Sequence, residues 1–405
     1  MPTSLVLVLA VGAAAYALAA RSPQLAIVSP AMMFTGLGLL TGPAGFDLVD
    51  LGVENAFLET LAEVTLVLIL FGDASGIDAA RLRRQHQVPV RLLGVGLPLT
   101  MIAGFLCALL MPGLSIYEAA LVGIVLAPTD AALGQAVVSD QDVPDQTRRA
   151  LNVESGLNDG LAFPVLLIVG SLAVADAAPD MDRTALGWAL FFAAQVLFGP
   201  LVGVLFGLGG GGLIERALGG DDTTRAFVRI ATISLPLAAY AAAELVSGNG
   251  FLAAFACGLT TGARSPRLQK ATDDFVETEG RILAMAVFFF VGAALLPEVL
   301  DRVSGHHLLY AAASLTLVRM VPVALCLIGA GQTPVTVAFI GWFGPRGLAS
   351  VIYLLLLNER YPLDAVDEIG ATVLTTVALS VVLHGLSAVP LAHTYMRVSA
   401  RKATT

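Results

Sequence analysis

Apolar runs, several of them near twenty residues long, recur along the whole chain, and this feature limits the fold more than any other. A helix of about 20 apolar residues crosses a hydrocarbon core of about 30 Å. Thirteen such runs fit into the 405 residues and leave mainly short loops, although twelve is also possible. They are predicted at 4–20, 24–41, 56–72, 90–111, 116–135, 150–173, 186–212, 226–247, 250–262, 282–297, 308–330, 334–357 and 368–392. The sequence therefore predicts an all-α polytopic membrane protein that contacts the lipid bilayer over most of its length.

Composition excludes several other classes of protein. Only 13% of the residues are charged, against roughly 25% in an average soluble protein, so a soluble domain of this size is excluded. The net charge of −9 excludes a generally basic surface for nucleic acid. No G-x-x-x-x-G-K-[ST] motif occurs, so we expect no nucleotide partner. The three cysteines lie inside apolar runs, which argues against disulfides and Cys-rich metal sites. We expect no bound cofactor and no enzymatic activity.

Basic residues segregate to one side of the predicted spans. Seventeen of the 22 Lys and Arg residues fall in one set of loops, three fall in the opposite set, and Arg319 and Arg346 lie inside spans. An excess of Lys and Arg marks the cytoplasmic loops. The sequence thus predicts an odd number of spans in the inner or plasma membrane, with the N-terminus outside and the C-terminus in the cytoplasm.

Ionisable residues inside the spans require an explanation, because each costs at least about 2.5–3.5 kcal/mol to insert. Asp73 and Glu244 lie near predicted span ends, where a loop position or snorkelling explains them. Glu63 has no partner that the sequence assigns, and a structural and a functional role stay equally open. The candidates for a functional role are Glu63, Asp73, Asp130, Glu154, Asp159, Glu244, Arg319 and Arg346.

The histidines give weaker indications of a functional role. His384 falls inside the last predicted span, where it could sense pH, but we interpret it as a hydrogen-bonded core residue. His306 and His307 precede a predicted span and are expected in a solvated outside loop.

Two spans, the fifth and the twelfth, contain residues that interrupt a helix. Pro128, within Ala-Pro-Thr-Asp at 127–130, lacks a backbone donor, and three Gly and a Pro fall within 341–347. The two spans are seven apart in order and therefore opposite in orientation, as expected of a secondary transporter with inverted repeats. The predicted division is a first six-helix repeat at 1–173, a linker helix at 174–225, a second repeat at 226–397 and a short cytoplasmic tail at 398–405.

The sixth span carries the polar sequence Glu-Ser-Gly-Leu-Asn-Asp-Gly at 154–160. On a helix, Ser155 and Asp159 share one face at i, i+4, and Glu154 and Asn158 share another. The two carboxylates point about 140° apart, so we expect them to have different roles.

Together these motifs resemble the cation:proton antiporter-1 family, specifically the NhaP-type sodium/proton antiporters of prokaryotes. The matching residues are 127–130, 154–160, Arg319 with the following Pro322-Val323, and Gly-Pro-Arg-Gly at 344–347. The resemblance covers essentially the whole chain in order. It implies about thirteen transmembrane helices in two inverted six-helix repeats, with discontinuous helices crossing near the midplane. It also implies a homodimer and the exchange of Na⁺ or Li⁺ for H⁺.

The resemblance assigns roles to several residues of the fifth and sixth spans. It implies that Asp159 binds cation and proton in turn, and that Thr129, Ser155 and Asp130 help to hold Na⁺, with Asp130 acting through its backbone oxygen or a water. Asn158 marks the variant of the motif associated with electroneutral exchange. An alkali cation prefers oxygen ligands, and these side chains and the carbonyls freed at the break supply them.

The remaining intramembrane charges are expected to support this site. The resemblance implies that Glu154 pairs with Arg319, which leaves Asp159 without a fixed positive partner. Arg346 is predicted to compensate half-helix carbonyls or a nearby acid. We expect no long cytoplasmic tail of the kind found in animal exchangers, so regulation through a tail is not carried over.

The sequence also bears on three functions other than sodium/proton exchange. A K⁺/H⁺ antiporter on the same fold stays open, because ligand types do not fix ion size. A cation channel is disfavoured, since no T-V-G-Y-G-type filter occurs. An intramembrane aspartyl protease using Asp130 and Asp159 is disfavoured, because neither residue lies in the Gly-x-Gly-Asp pattern.

Overall fold

The chain is all-α in the part that a computed structural model describes. The described residues are 3–19, 28–49, 55–78, 86–130, 133, 143–174, 184–217, 222–264, 269–270 and 279–403. The helices are α1 (Thr3–Ala19), α2 (Pro30–Thr41), α3 (Asn55–Ser75), α4 (Gln87–Ala108), α5 (Ile116–Val125), α6 (Asp145–Ala173), α7 (Ala185–Ala217), α8 (Asp222–Leu245), α9 (Gly250–Arg264), α10 (Arg281–Leu300), α11 (Gly305–Cys326, interrupted at Thr316), α12 (Pro334–Trp342), α13 (Leu348–Arg360) and α14 (Val366–Ala403).

Capping residues define where several helices begin. Ser115 and Glu118 form a reciprocal capping box at the start of α5, with each side chain accepting the other's backbone N–H at 3.3 and 2.9 Å. The Ser29 hydroxyl accepts the Met32 N–H at 3.2 Å at the start of α2. Thr333 caps α12 in the same way. These short polar residues satisfy backbone donors that the first helical turn leaves without partners.

Every predicted span overlaps a helix or a pair of helices in the described residues. Within those residues, six helices are by themselves long and apolar enough to cross a membrane, namely α4, α6, α7, α10, α11 and α14. The count of thirteen spans and the division into repeats stay predictions.

The two predicted interruptions coincide with non-helical backbone. The twelfth span consists of α12 and α13, separated by 343–347, which confirms the prediction for that span. In the fifth span α5 ends at Val125 and residues 126–130 are not helical. Apart from Leu133, the prediction for 131–142 lies outside the described residues.

Two helices contain π-helical turns that the sequence analysis did not predict. They lie at Leu92–Gly96 in α4 and Val291–Leu295 in α10. Each is followed within two residues by a proline, Pro98 or Pro297. Because proline lacks a backbone N–H and crowds the preceding turn, it disturbs the regular bonding pattern at that point.

Small residues bring α7 against the backbone of α9. Gly199, Gly203 and Gly207 follow one another at intervals of four, and a Cβ on any of them would collide with residues at the start of or within α9. Such spacing allows membrane helices to approach closely. On its other side α9 packs against α3.

Helix α6 occupies a central position, because it packs against α3, α4, α5, α7, α9, α12 and α13. Its buried residues include Glu154, Ser155, Asn158 and Asp159. The fold therefore places the most polar stretch of the predicted spans among seven neighbouring helices.

Candidate functional site

The two non-helical segments, 126–130 and 343–347, lie against each other. The Asp130 N–H donates to the Pro345 carbonyl at 2.8 Å. The Leu348 N–H, in the first turn of α13, donates to Asp130 Oδ2 at 2.7 Å. Asp130 thus caps the helix that follows the opposite break, where a negative charge is favourable. Gly347 has no space for a Cβ, because that atom would collide with the Asp130 carboxylate.

Arg346 is completely buried at this crossing. Its Nη1 donates to the carbonyls of Ala127 and Pro128, the second at 3.0 Å. These contacts correspond to the first of the two roles predicted for Arg346, which were to compensate half-helix carbonyl ends or a nearby acid. Two of the carbonyls freed at Pro128 are therefore directed to Arg346. The Thr129 carbonyl accepts the Ser155 hydroxyl at 2.5 Å.

Two residues of α14 lie within hydrogen-bond distance of backbone groups within and just before the 343–347 break. The Arg346 N–H donates to Ser380 Oγ at 2.7 Å. His384 lies with Nε2 2.9 Å from the Trp342 carbonyl and Nδ1 3.1 Å from Ser380 Oγ. His384 is 1% exposed, so the prediction of a hydrogen-bonded core histidine is confirmed.

Glu154 and Arg319 form the predicted buried ion pair. The guanidinium Nη1 and Nη2 donate to the two carboxylate oxygens at 2.6 and 2.8 Å. Both side chains are about 2% exposed. Such two-bond geometry is the strongest form of a carboxylate–arginine contact. The pair joins α6 to α11.

Thr129 connects α6 to the first break. Besides the bond from Ser155, Thr129 Oγ1 accepts from Asn158 Nδ2 at 2.8 Å. The helical spacing predicts Asn158 on the same face as Glu154, but in the structure Asn158 binds Thr129, as Ser155 does. The reason is that Ser155 and Asn158 are three residues apart, which makes them neighbours on a helix surface.

Asp159 is 3% exposed, and its Oδ1 has no hydrogen-bond partner among the described residues. Asp130 is the charged group that repels its carboxylate. The Asp159 backbone carbonyl accepts the hydroxyl of Tyr353 on α13. Tyr353 is not predicted from the sequence, because a tyrosine hydroxyl within a mainly apolar run does not indicate which group it binds. The arrangement brings Thr129, Asp130, Ser155, Asn158 and Asp159 together around the first break.

Two other predictions have different outcomes. Glu244 lies at the end of α8 and accepts the Gly250 N–H at 2.8 Å, which confirms the predicted position at a span end. The expectation of a solvated loop is wrong for His307, which is 1% exposed. His307 lies inside the first turn of α11, where it packs between Ser304 and Glu368.

Comparison with known proteins agrees with this fold. The family described as "Sodium/hydrogen exchanger, transmembrane" matches residues 6–394. The K⁺/H⁺ antiporter NhaP of Alkalimonas amylolytica is 27% identical over 335 residues, which are 80% of this chain and 55% of that protein. A probable Na⁺/H⁺ antiporter of Schizosaccharomyces pombe is 25% identical over 357 residues, 82% of this chain and 45% of that protein. The chain spans about half the length of the curated relatives it matches.

A solved structure has the same fold. The sodium proton antiporter MjNhaP1 from Methanocaldococcus jannaschii superposes with a TM-score of 0.75 and 20% sequence identity, over 97% of this chain and 100% of that one. The resemblance to NhaP-type antiporters is thereby confirmed. The chain is a multi-pass membrane protein and belongs to the transmembrane sodium/hydrogen exchanger family.

Proposed function

We propose that this protein is a secondary active antiporter that exchanges one Na⁺ or Li⁺ for one H⁺ by alternating access. The two ions compete for the carboxylate of Asp159. The observation that carries this proposal is the buried Asp159 Oδ1, which has no hydrogen-bond partner among the described residues. A single carboxylate can bind a cation or a proton but not both, and this competition couples the two fluxes.

The surrounding groups have the chemistry that an alkali cation requires. Ser155 lies one turn before Asp159 on α6, and its hydroxyl is 2.5 Å from the Thr129 carbonyl. Hard cations prefer carboxylate, hydroxyl and carbonyl oxygens. We assign Na⁺ binding to Asp159, Ser155 and Thr129, with Asp130 contributing through its backbone oxygen or a water. Asn158 Oδ1 also has no partner among the described residues and can supply a neutral oxygen.

The charges near the crossing support a stoichiometry of one cation to one proton. Three carboxylates, of Asp130, Glu154 and Asp159, lie near two guanidinium groups, of Arg319 and Arg346. With every group ionised the set carries a formal charge of −1. One bound monovalent cation or one proton neutralises it, so the two loaded states have equal charge. Exchange between them moves no net charge across the membrane.

Within this proposal, the remaining charged residues position the site. Arg346 and Asp130 hold the two interrupted helices together, and Glu154 with Arg319 anchors α6 to α11. Because Arg319 is engaged with Glu154, Asp159 keeps its negative charge available for the transported ion. The proposal retains a homodimer in the cell membrane with the N-terminus outside and the C-terminus in the cytoplasm.

A second candidate is K⁺/H⁺ exchange at the same site. It is favoured by the curated relatives, several of which are named K⁺/H⁺ antiporters. Oxygen ligands alone do not distinguish Na⁺ from K⁺, so only a comparison of ions separates the two candidates.

Reconstitution tests the proposal. The purified protein is placed in liposomes with an acidic interior and a pH-sensitive dye, and Na⁺, Li⁺ and K⁺ are added separately at equal concentration. We expect Na⁺ and Li⁺ to release protons and K⁺ to release few. A response to K⁺ alone would support the second candidate. The absence of any cation-dependent proton release, with the protein correctly folded and inserted, would contradict both.

A further inference from the structure

A cluster of two histidines and one carboxylate lies away from the candidate ion site. His306 and His307 are in the first turn of α11, and Glu368 is in the first turn of α14. His306 Nε2 is 2.7 Å and His307 Nε2 3.1 Å from the same carboxylate oxygen, Glu368 Oε1. The three possible ligand atoms all lie within 4.8 Å of one another. The fold thus directs three groups that bind transition metals to one point.

One nitrogen of the buried His307 ring has no hydrogen bond within the described part of the chain. His307 is 1% exposed, and its Nε2 has no hydrogen bond to any described residue, although Glu368 Oε1 is near. A buried polar nitrogen without a hydrogen bond is costly, so its retention needs a reason. In the tautomer with the proton on Nδ1, a metal ion between Nε2 and the carboxylate would bind Nε2 directly.

Ser304 can orient both rings for metal binding. Its Oγ lies 2.8 Å from His306 Nδ1 and 3.0 Å from His307 Nδ1. A hydroxyl oxygen has two lone pairs and can accept from both Nδ1–H groups, which leaves both Nε2 lone pairs free for a metal. In the structure His307 Nδ1 accepts the Ser304 N–H at 3.0 Å. In the metal-binding tautomer this bond is replaced by one from His307 Nδ1–H to Ser304 Oγ. Hydrogen bonds of this kind to the second ring nitrogen are usual for histidine ligands.

We propose that His306, His307 and Glu368 form a binding site for a divalent transition-metal ion of the zinc class. Two imidazoles and one carboxylate are ligands that suit Zn²⁺, and a water would complete a tetrahedral set. Ligand atoms in a tetrahedral zinc site are about 3.3 Å apart, so the distances from His306 and His307 to the carboxylate oxygen need to widen by about 0.6 and 0.2 Å. His306 and Glu368 are 35% and 27% exposed, which gives the ion access.

The bound ion would join the beginnings of α11 and α14. Further along these helices, α11 carries Arg319, and α14 carries Ser380 and His384, which bind the backbone around the 343–347 break. The metal site is therefore separate from the candidate ion site, yet it connects two helices that support it. The sequence places the cluster on the outside of the membrane.

Binding of Zn²⁺ to the purified, tag-free chain in detergent tests the proposal, with competition against a chromophoric chelator as the readout. We expect one Zn²⁺ per chain in the unaltered protein and in His393→Ala, an exposed histidine of α14 outside the cluster. His306→Ala and Glu368→Gln should each weaken Zn²⁺ binding by at least about tenfold, and Ser304→Ala by about tenfold. The metal should also raise the melting temperature of the unaltered protein but not of His306→Ala.

Because the His306 side chain is partly exposed, we expect its variant to fold, and size-exclusion chromatography without metal checks this. The proposal is overturned if the unaltered chain binds no Zn²⁺. It is equally overturned if the folded cluster variants bind Zn²⁺ as His393→Ala does, because the contacts then serve only to hold α11 and α14 together.

Discussion

Neutralising one member of the Glu154–Arg319 pair should destabilise the protein more than neutralising both. Each side chain is about 2% exposed, and each is the other's counter-charge. Glu154→Gln leaves a buried guanidinium without a counter-charge, and Arg319→Gln leaves a buried carboxylate. Removing one partner of a buried pair typically costs about 3–5 kcal/mol, whereas replacing both partners removes the uncompensated charge. We expect each single variant to lose free energy of unfolding in that range, and the double variant to lose less than the sum.

The assay is a double-mutant cycle on the free energy of unfolding in detergent micelles, which isolates the interaction between the two residues. Glu215 and Arg264 provide the matched control, since their side chains also pair, at 2.9 Å, but are 37% and 35% exposed. An exposed pair contributes at most about 1 kcal/mol, so the control cycle should show little coupling. If the effects at Glu154 and Arg319 are additive, the two residues are not energetic partners. Asp159 could then not be regarded as free of a fixed positive charge.

Three further predictions concern the candidate site. Ser155→Ala and Thr129→Val should raise the apparent KM for the cation more than they lower the maximal exchange rate, measured in proteoliposomes over a range of Na⁺ concentrations; unchanged KM values in both variants would reduce the hydroxyls to packing groups. An imposed membrane potential should leave the steady-state cation gradient unchanged, and a clear dependence of that gradient on potential would refute one-for-one exchange. Gly347→Ala should lower the free energy of unfolding by about 1–3 kcal/mol, because a Cβ there collides with Asp130. Gly36→Ala, with open space around the new Cβ, is its control, and equal effects of the two substitutions would contradict the close approach.

Much of the fold could be predicted because a bilayer imposes length and polarity rules that act along the chain. Apolar runs predicted where helices lie, and helix-breaking Gly and Pro residues predicted where the twelfth span is interrupted. The Glu154–Arg319 contact was inferred from the family resemblance, and it also fits the need of a buried charge for an opposite charge at similar depth. These signals are local in sequence or depend on charge alone.

The remaining features depend on contacts between residues far apart in the chain. Arg346 binds carbonyls more than two hundred residues earlier, and Tyr353 binds the carbonyl of Asp159, 194 residues before it. No periodicity in the 343–347 break or in α13 indicates such partners, because a carbonyl acceptor leaves no trace in the side-chain sequence. The prediction for His307 was wrong for a similar reason, since this residue packs against Glu368, which is far away in sequence.

The central claim is that Asp159 binds the cation and the proton in turn, and Na⁺-driven proton flux in proteoliposomes containing Asp159→Asn tests it most directly. Asp145→Asn is the matched control, because Asp145 begins the same helix with a side chain that is 50% exposed. We predict that Asp159→Asn folds and inserts normally but shows no cation-dependent proton flux, while Asp145→Asn exchanges like the unaltered protein. Retained Na⁺-driven proton flux in Asp159→Asn would show that another group carries the exchange and would contradict the mechanism.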